Sequence, residues 1–422
     1  MELPRLHVAR AATFTESASD VWARIGNFDD VSWMPGVERT INVIPGKLRE
    51  VHLQGGSPSV SEELLSETLQ SHTFTFSDPG ALPVENYLAV LRVHEDGDKS
   101  TVTWTAEFTA RGATGDDAKA QMAGWYEACL QKAGGTLLAP IALNVFVSDY
   151  KPIETDLEGW DPSVQATWPA STATLLTGEK DAVLVDALVT VSEAEELVAW
   201  IRATGKNLTT VYVTHGHGDH FYGLSAVLKE FPKAVAVTLP EVIPFTDGQL
   251  ADGYIAYWDS VFPGQMPKNP VAPTAMKDAF IDLEGHKLIP VAVGQSDTDP
   301  STVVYVPDLD AVVGGDVVYS AIHLWLAQTG LEERRNWIKA IAIVEELNPA
   351  WVVAGHRDPA AESDSAAPQI HATRQYLFDF SEGVEDGASA AELVAFMLER
   401  WPALGNPWTL SASAAAQFVP KS

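Results

Sequence analysis

The sequence predicts a two-domain α+β chain: a sheet-rich N-terminal half that closes on a long helix, then a half in which strands alternate with helices. Three observations carry this. Four β-like runs follow one another between residues 48 and 110, the pattern switches to strand-helix alternation near Leu137, and a buried strand at 208–214 ends directly on a histidine cluster. With 422 residues there is room for two or three domains, each burying its own core.

Charge narrows the partners. The chain sets 27 Lys+Arg against 57 Asp+Glu for a net charge of −30, and 46% of its residues are hydrophobic. Residues 1–140 hold 11 basic and 19 acidic side chains, and residues 141–422 hold 16 and 38, so neither half is basic. Nucleic acids and anionic membranes are bound by Lys/Arg clusters that release counterions, and no such run occurs. Neither is an expected partner. A single cysteine, Cys129, rules out an internal disulfide and a thiolate metal cluster, which fits a reducing, cytoplasmic setting. The N-terminal MELPRLHVAR lacks the apolar segment of a signal peptide, and no stretch approaches the ~18 uninterrupted apolar residues of a membrane span. A homo-oligomer is compatible with the sequence.

In the first half, residues 5–15 read as a strand, and Ser17 to Asp20 opens a short helix through Val21, Trp22 and Ile25. LREVHLQ (48–54), HTFTFSD (72–78), ENYLAVLRVHE (85–95) and STVTWTAEFTA (100–110) are rich in β-branched and aromatic residues at near period two. An Asp-Gly pair between the last two is a hairpin signal. Asp116 and Asp117 then begin a helix that runs to about Lys132 and stops at Gly134-Gly135.

Together with ESASDVWARIGNFDDVSWMPGVE (16–38) and SEELLSETLQSHTFTF (61–76), this order of elements resembles the helix-grip fold of the START and polyketide-cyclase (SRPBCC) superfamily over about residues 5–135. The resemblance implies a curved antiparallel sheet around a long helix and an apolar ligand cavity. Trp33, Phe74, Phe76, Tyr87 and Trp104 are the candidates to line it, or equally to fill a closed core. No cluster of titratable groups falls here, so binding rather than chemistry is assigned to residues 1–136.

Residues 136–140 (TLLAP) form the join, short enough to suggest domains packed against each other. Beyond it, ATLLTG and DAVLVDAL (173–188) read as two strands, and Ser192 with Glu195 as a capping box before the helix EAEELVAWIRAT, which Gly205 ends. LTTVYVT (208–214) is a buried strand. Residues 331–347 read as an amphipathic helix, AWVVAG (350–355) as a strand delivering His356, and 369–380 and 388–400 as helices that complete or cover this domain. The expected divisions are 141–360 and a helical extension, 361–422.

Three of the eleven histidines fall within His215-Gly216-His217-Gly218-Asp219-His220. A lone histidine is usually a surface or core residue, but three imidazoles and a carboxylate in one strand-to-helix turn suit zinc or another borderline divalent ion. Glycines 216 and 218 are expected to let the backbone turn tightly.

With Gly314-Gly315-Asp316 after AVV and Gly355-His356 after WVVA, this run resembles the metallo-β-lactamase fold superfamily over about residues 140–360. The resemblance implies an αββα sandwich with the metal site at one edge. It implies that Asp316 bridges two metals, that Asp219, His220 and His356 hold the second, and that Asp186 supports the site from behind the ligands. Where the family has a Gly-His pair, this chain reads Gly294-Gln295-Ser296-Asp297. His215 and His217 would then share the first metal with Asp316 and the Gln295 amide oxygen, a weak zinc ligand. The expected cofactor is zinc, one ion tight and a second weak, with iron and manganese as the other candidates.

Tyr222 and Tyr319 are candidates to donate a hydrogen bond to a developing oxyanion, with ordinary packing as the alternative. His323 is a candidate to replace the missing imidazole or bind substrate, and a packed histidine is the alternative. Residues Gln249–Ala275 carry Tyr254, Tyr257, Trp258 and Phe262 and read as packing or as a substrate-covering lid. No phosphate-binding glycine loop and no G-x-S-x-G elbow is present. The sequence therefore points to a metal-dependent hydrolase that turns a metal-bound hydroxide, with Asp219 beside it, on a small neutral or apolar ester, lactone, thioester or amide. A ligand-binding or sensor protein with a degenerate metal site is the alternative, and a phosphodiesterase the next.

Overall fold

The computed structural model describes residues 6–361, 363–387 and 389–418. The chain divides into two compact units, Met1–Ala142 with Pro307–Asp310, and Leu143–Val306 with Ala311–Ser422. The architecture is two-domain α+β.

In the first unit, the described residues form an eight-stranded sheet in the order Val37–Ile44, Leu48–Leu53, Val60–Glu67, Ser71–Asp78, Val84–Asp96, Lys99–Ala110, Leu6–Phe14, Thr136–Leu137. Every pairing is antiparallel. None of the residues of the edge strand Val37–Ile44, which the sequence pattern did not predict, is buried, and Ile41, Val43 and Ile44 are exposed. The helix Gly115–Lys132 starts at Thr114, whose hydroxyl accepts from the Asp117 amide, and it buries Met122, Tyr126, Cys129 and Leu130 against the sheet. Trp33, Phe74, Tyr87 and Trp104 lie in this core, with Phe76 partly buried at its margin. Phe76 stacks on Tyr87 with centroids 3.8 Å apart, Trp104 stacks on Tyr126 at 4.6 Å, and the Tyr87 and Tyr126 hydroxyls are 2.6 Å apart. The rings offered as cavity lining thus contact one another and the helix.

The second unit has two main sheets. One runs Thr274–Ala275, Val235–Thr238, Asn207–Tyr212, Asp181–Val185, Thr172–Thr177, Ala142–Val147; the other runs Ile281–Leu283, His286–Gly294, Ser301–Val306, Ala311–Val313, Trp351–Val353. Thr172–Thr177 is buried throughout, its threonines as well as Ala173, Leu175 and Leu176. The helix Val191–Ala203 carries its capping box on Thr190 and Glu193, two residues before the expected pair, because the chain enters the helix at Val191. Helices Ala366–Asp386, Ala390–Arg400 and Pro407–Gln417 bury Tyr376, Phe380, Leu393 and Leu410 in the same core as Leu331–Glu346 and the second sheet. No helix among the described residues is long and apolar enough to cross a membrane.

Strand order decides where the candidate residues meet. Asp186, His215, Asp316 and His356 each follow the end of a strand, at Val185, Tyr212, Val313 and Val353. Asp181–Val185 runs parallel to Asn207–Tyr212, and Ala311–Val313 parallel to Trp351–Val353, so each pair delivers its residues at the same end of its sheet.

His323 does not join them. It is fully buried and its Nδ1 lies 2.9 Å from the Tyr376 hydroxyl among the C-terminal helices, because the chain after Ser320 turns away through left-handed Ala321 at φ 55°. Burial holds its pKa down at about 4. A histidine depressed in the folded state stays neutral while the unfolded chain takes up a proton, so this stability is present above the ordinary value near 6.5 and is lost as pH falls toward 4. Replacing His323 with Asn is expected to remove on the order of 2 kcal/mol of the stability loss between pH 7 and pH 5 in urea unfolding. An unchanged pH slope would show that this histidine is not responsible.

Candidate metal centre

The turn after Asn207–Tyr212 is held by one carboxylate. Asp186 accepts from the Thr214 amide at 2.8 Å and the Thr214 hydroxyl at 2.8 Å, and lies 2.9 Å from His220 Nδ1. Its backbone is left-handed at φ 62°, a conformation costing on the order of 1 kcal/mol for a residue with a side chain. Glycines 216 and 218 serve a different need from the one expected. Neither has a positive φ; a Cβ on Gly216 would sit 1.9 Å from the Phe245 ring, and one on Gly218 2.6 Å from the Tyr222 ring. Close packing of aromatic rings excludes a side chain there.

All four imidazoles use their outer nitrogen as a donor. Because the Thr214 hydroxyl donates to Asp186, it accepts from His215 Nδ1 at 3.0 Å; His220 Nδ1 donates to Asp186, His356 Nδ1 to the Ala170 carbonyl at 3.1 Å, and His217 Nε2 to Gln328 Oε1 at 3.0 Å. The inner nitrogens therefore face one another and the carboxylates. His217 Nδ1 is 2.8 Å from Asp297, His220 Nε2 is 3.1 Å and His356 Nε2 3.2 Å from Asp316, and His215 Nε2 is 3.9 Å from both Asp297 and Asp316. Asp219 Oδ2 lies 3.6 Å from His356 Nε2 and accepts from the Trp168 indole at 3.1 Å.

Donor atoms gather in two buried groups, His215, His217, Asp297 and Asp316, and Asp219, His220 and His356, each with its atoms within 4.8 Å of one another. Asp316 touches both. Gly355 makes that position possible, since a Cβ there would fall 2.2 Å from Asp316 Oδ1.

Gln295 is a correction. Its amide donates to the Ser296 carbonyl at 3.0 Å, and the carboxylate of Asp297, two residues on, takes the place expected for it. The strand His286–Gly294 carries an irregularity between Ala292 and Gly294, and Gly294 is left-handed at φ 81°, so the following loop presents Asp297 inward, where Ser296 Oγ donates to it at 2.9 Å. The signal was in the same run, a carboxylate within two residues of the missing histidine. Both tyrosines are also corrections, because their hydroxyls are already committed. Tyr222 donates to the Gln249 carbonyl at 2.6 Å, and Tyr319 to Asp316 at 2.9 Å. Trp168 and Gln328 had no signal in the sequence.

Electrostatics shows what the cluster lacks. Burial holds His215 down at about 3, with the nearby His220 adding to that. Burial works the same way on His217, but Asp297 outweighs it and raises His217 to about 9. His220 and His356 are likewise raised against their burial by Asp316, and Asp316 itself is held far below the usual carboxylate range by His356, His220 and His215 despite its burial. His215 Nε2 is buried with no hydrogen-bond partner, and buried His220 Nε2 and Asp316 Oδ1 face only each other, 3.1 Å apart. Such atoms carry a large desolvation cost unless a cation engages them, and neutral imidazole and carboxylate donors fit a divalent ion.

Residues 166–356 match the metallo-beta-lactamase superfamily. Residues 5–134 match the polyketide cyclase / dehydrase and lipid transport family. Among solved structures, the metallo-beta-lactamase from Pontibacter korlensis is 18% identical, covering 57% of this chain and 100% of its own, with a TM-score of 0.39. A metallo-beta-lactamase family protein from Thermus thermophilus is 17% identical, covering 64% and 91%, at 0.44. The protein XoxI from Bacillus cereus is 23% identical, covering 30% and 92%, at 0.29. No curated protein resembles the chain closely enough to count as a match. The second unit has the metallo-beta-lactamase fold.

A small pocket, open to solvent, is lined by His217, Asp219, Asp297, Asp316 and His356 of the cluster. Removing Asp297 (Asp297→Ala) is expected to weaken metal uptake by more than about tenfold, whereas Gln295→Ala leaves it unchanged. Metal titration followed by elemental analysis of the dialysed proteins checks both. Equal loss in the two variants would return Gln295 to the ligand set.

Proposed function

We propose that the protein is a metal-dependent hydrolase acting on a small neutral or apolar ester, lactone, thioester or amide. The observation that carries this is the convergence of four buried imidazoles and three buried carboxylates, with His215 Nε2 left without a hydrogen-bond partner. His215, His217, Asp297 and Asp316 would hold one ion, and Asp219, His220 and His356, with Asp316 shared, a second. Zinc fits both groups, with iron and manganese as the other candidates because the first has two oxygen donors. A divalent ion held there supplies Lewis acidity and makes water nucleophilic near neutral pH.

The protein's own residues set orientation. Asp186, Gln328 and the Ala170 carbonyl fix three imidazole rings through their outer nitrogens, and Ser296, Trp168 and Tyr319 each donate to one of the three carboxylates. Asp219 Oδ1, the oxygen that Trp168 does not engage, is the atom we assign to hold a proton during turnover.

A carboxylate at position 297 removes the reason to expect a weak first site, and with it the feature that favoured a sensor with a degenerate centre. The pocket lining contains no Lys or Arg, which supports a neutral substrate over a phosphodiester. Zinc-loaded protein is expected to hydrolyse generic aryl esters or lactones, and the double change His215→Ala, His217→Ala to lower kcat/KM by about a hundredfold or more, roughly 3 kcal/mol of transition-state stabilisation. Activity insensitive to that change and to chelation would belong to another site.

A further inference from the structure

Apart from Pro169, Gln249 and Gln328, the rest of the pocket lining is aromatic. These rings are Trp168, Trp258, Trp325, Tyr254 and Tyr257, and the Trp168 indole reaches the Asp219 carboxylate itself. Trp168 lies at its centre, with ring centroids 5.0 Å from Trp258 and 5.6 Å from Trp325. Tyr254 and Tyr257 stand on the helix Asp252–Val261, whose Trp258 is buried, and they remain 45% and 46% exposed at the pocket. Trp258 is anchored: its indole donates to Gln249 Oε1 at 3.3 Å, and Tyr222 donates to the Gln249 carbonyl. The helix therefore holds two half-exposed rings at the pocket on a fixed base. Packing accounts for Trp258 but leaves the outer faces of Tyr254 and Tyr257 without an occupant.

From this geometry we infer that the site selects carbonyl compounds bearing a flat aromatic group, gripped by Tyr254 and Tyr257 against the tryptophan wall while the carbonyl faces the histidines and carboxylates. This deepens the hydrolase reading and rests on it for the direction of the carbonyl. Rings favour other rings through edge-to-face and offset contacts beyond what area alone gives, so a planar group gains more here than a flexible alkyl chain. The wall carries no Lys or Arg to hold an anion. A cation would find aromatic faces as well, but once divalent ions neutralise Asp219, Asp297 and Asp316 the pocket offers it no excess negative charge.

Calorimetric titration of the metal-loaded full chain with two neutral amides, 2-naphthamide and hexanamide, tests the inference without requiring turnover. Naphthamide is expected to bind about tenfold tighter, Tyr254→Ala and Tyr257→Ala each to lower its affinity about fivefold with little effect on hexanamide, and the Tyr→Phe changes, which keep the ring, to retain it. Equal affinity for the two amides, binding of neither, or insensitivity to both alanine changes would overturn it. Tighter binding of an acetamide carrying a trimethylammonium group would overturn it in favour of a cation cage. Ring-selective binding with no ester hydrolysis would defeat only the hydrolase reading, and hydrolysis with no ring preference only this inference.

Discussion

Asp186 is the point on which the centre depends. Its one carboxylate engages the backbone and hydroxyl of Thr214 and the outer nitrogen of His220, so the end of one strand fixes the direction of the turn that follows its neighbour. The hydroxyl of Thr214, by donating to Asp186, is left to accept from His215, and a second imidazole is set without another charged group. The left-handed backbone at Asp186 persists because this network over-determines it.

Three carboxylates and four imidazoles, all buried, converge at the strand ends. Taken out of water without a counter-ion, such an assembly holds its charges only against one another, which is why His217 and His220 are raised and Asp316 lowered while His215 Nε2 has no partner. Exchange of an imidazole for Asp297 increases the negative charge of the donor set and its demand for a cation. The strongly acidic composition thus has a local counterpart, and its other side is an aromatic wall free of cationic residues.

Local pattern made much of this legible. The H-x-H-x-D-H run, Asp316 and His356 lie next to short apolar strands, so their delivery to one end of the sheets follows from sequence order and parallel pairing. The extents of Gly115–Lys132 and Leu331–Glu346 are read directly to within a residue, although the first is capped by Thr114 rather than by Asp116 or Asp117. What failed did so for particular reasons. Val37–Ile44 buries no residue, its Ile41 and Val43 facing solvent, while Tyr222, Tyr319 and His323 are buried polar groups whose partners, Gln249, Asp316 and Tyr376, depend on how helices and loops meet.

The sequence by itself determined the two-domain order, the strand ends that bear ligands and the kinds of atoms that gather there, because backbone periodicity and residue chemistry are local. Only the tertiary structure decided that Asp297 rather than Gln295 turns inward, that Trp168 donates to Asp219, and that Tyr254 and Tyr257 line the same pocket as the cluster. Each of those outcomes depends on loop geometry, such as the irregularity before left-handed Gly294, and on contacts across residues far apart in the chain. Side-chain direction in a loop has no period to reveal it.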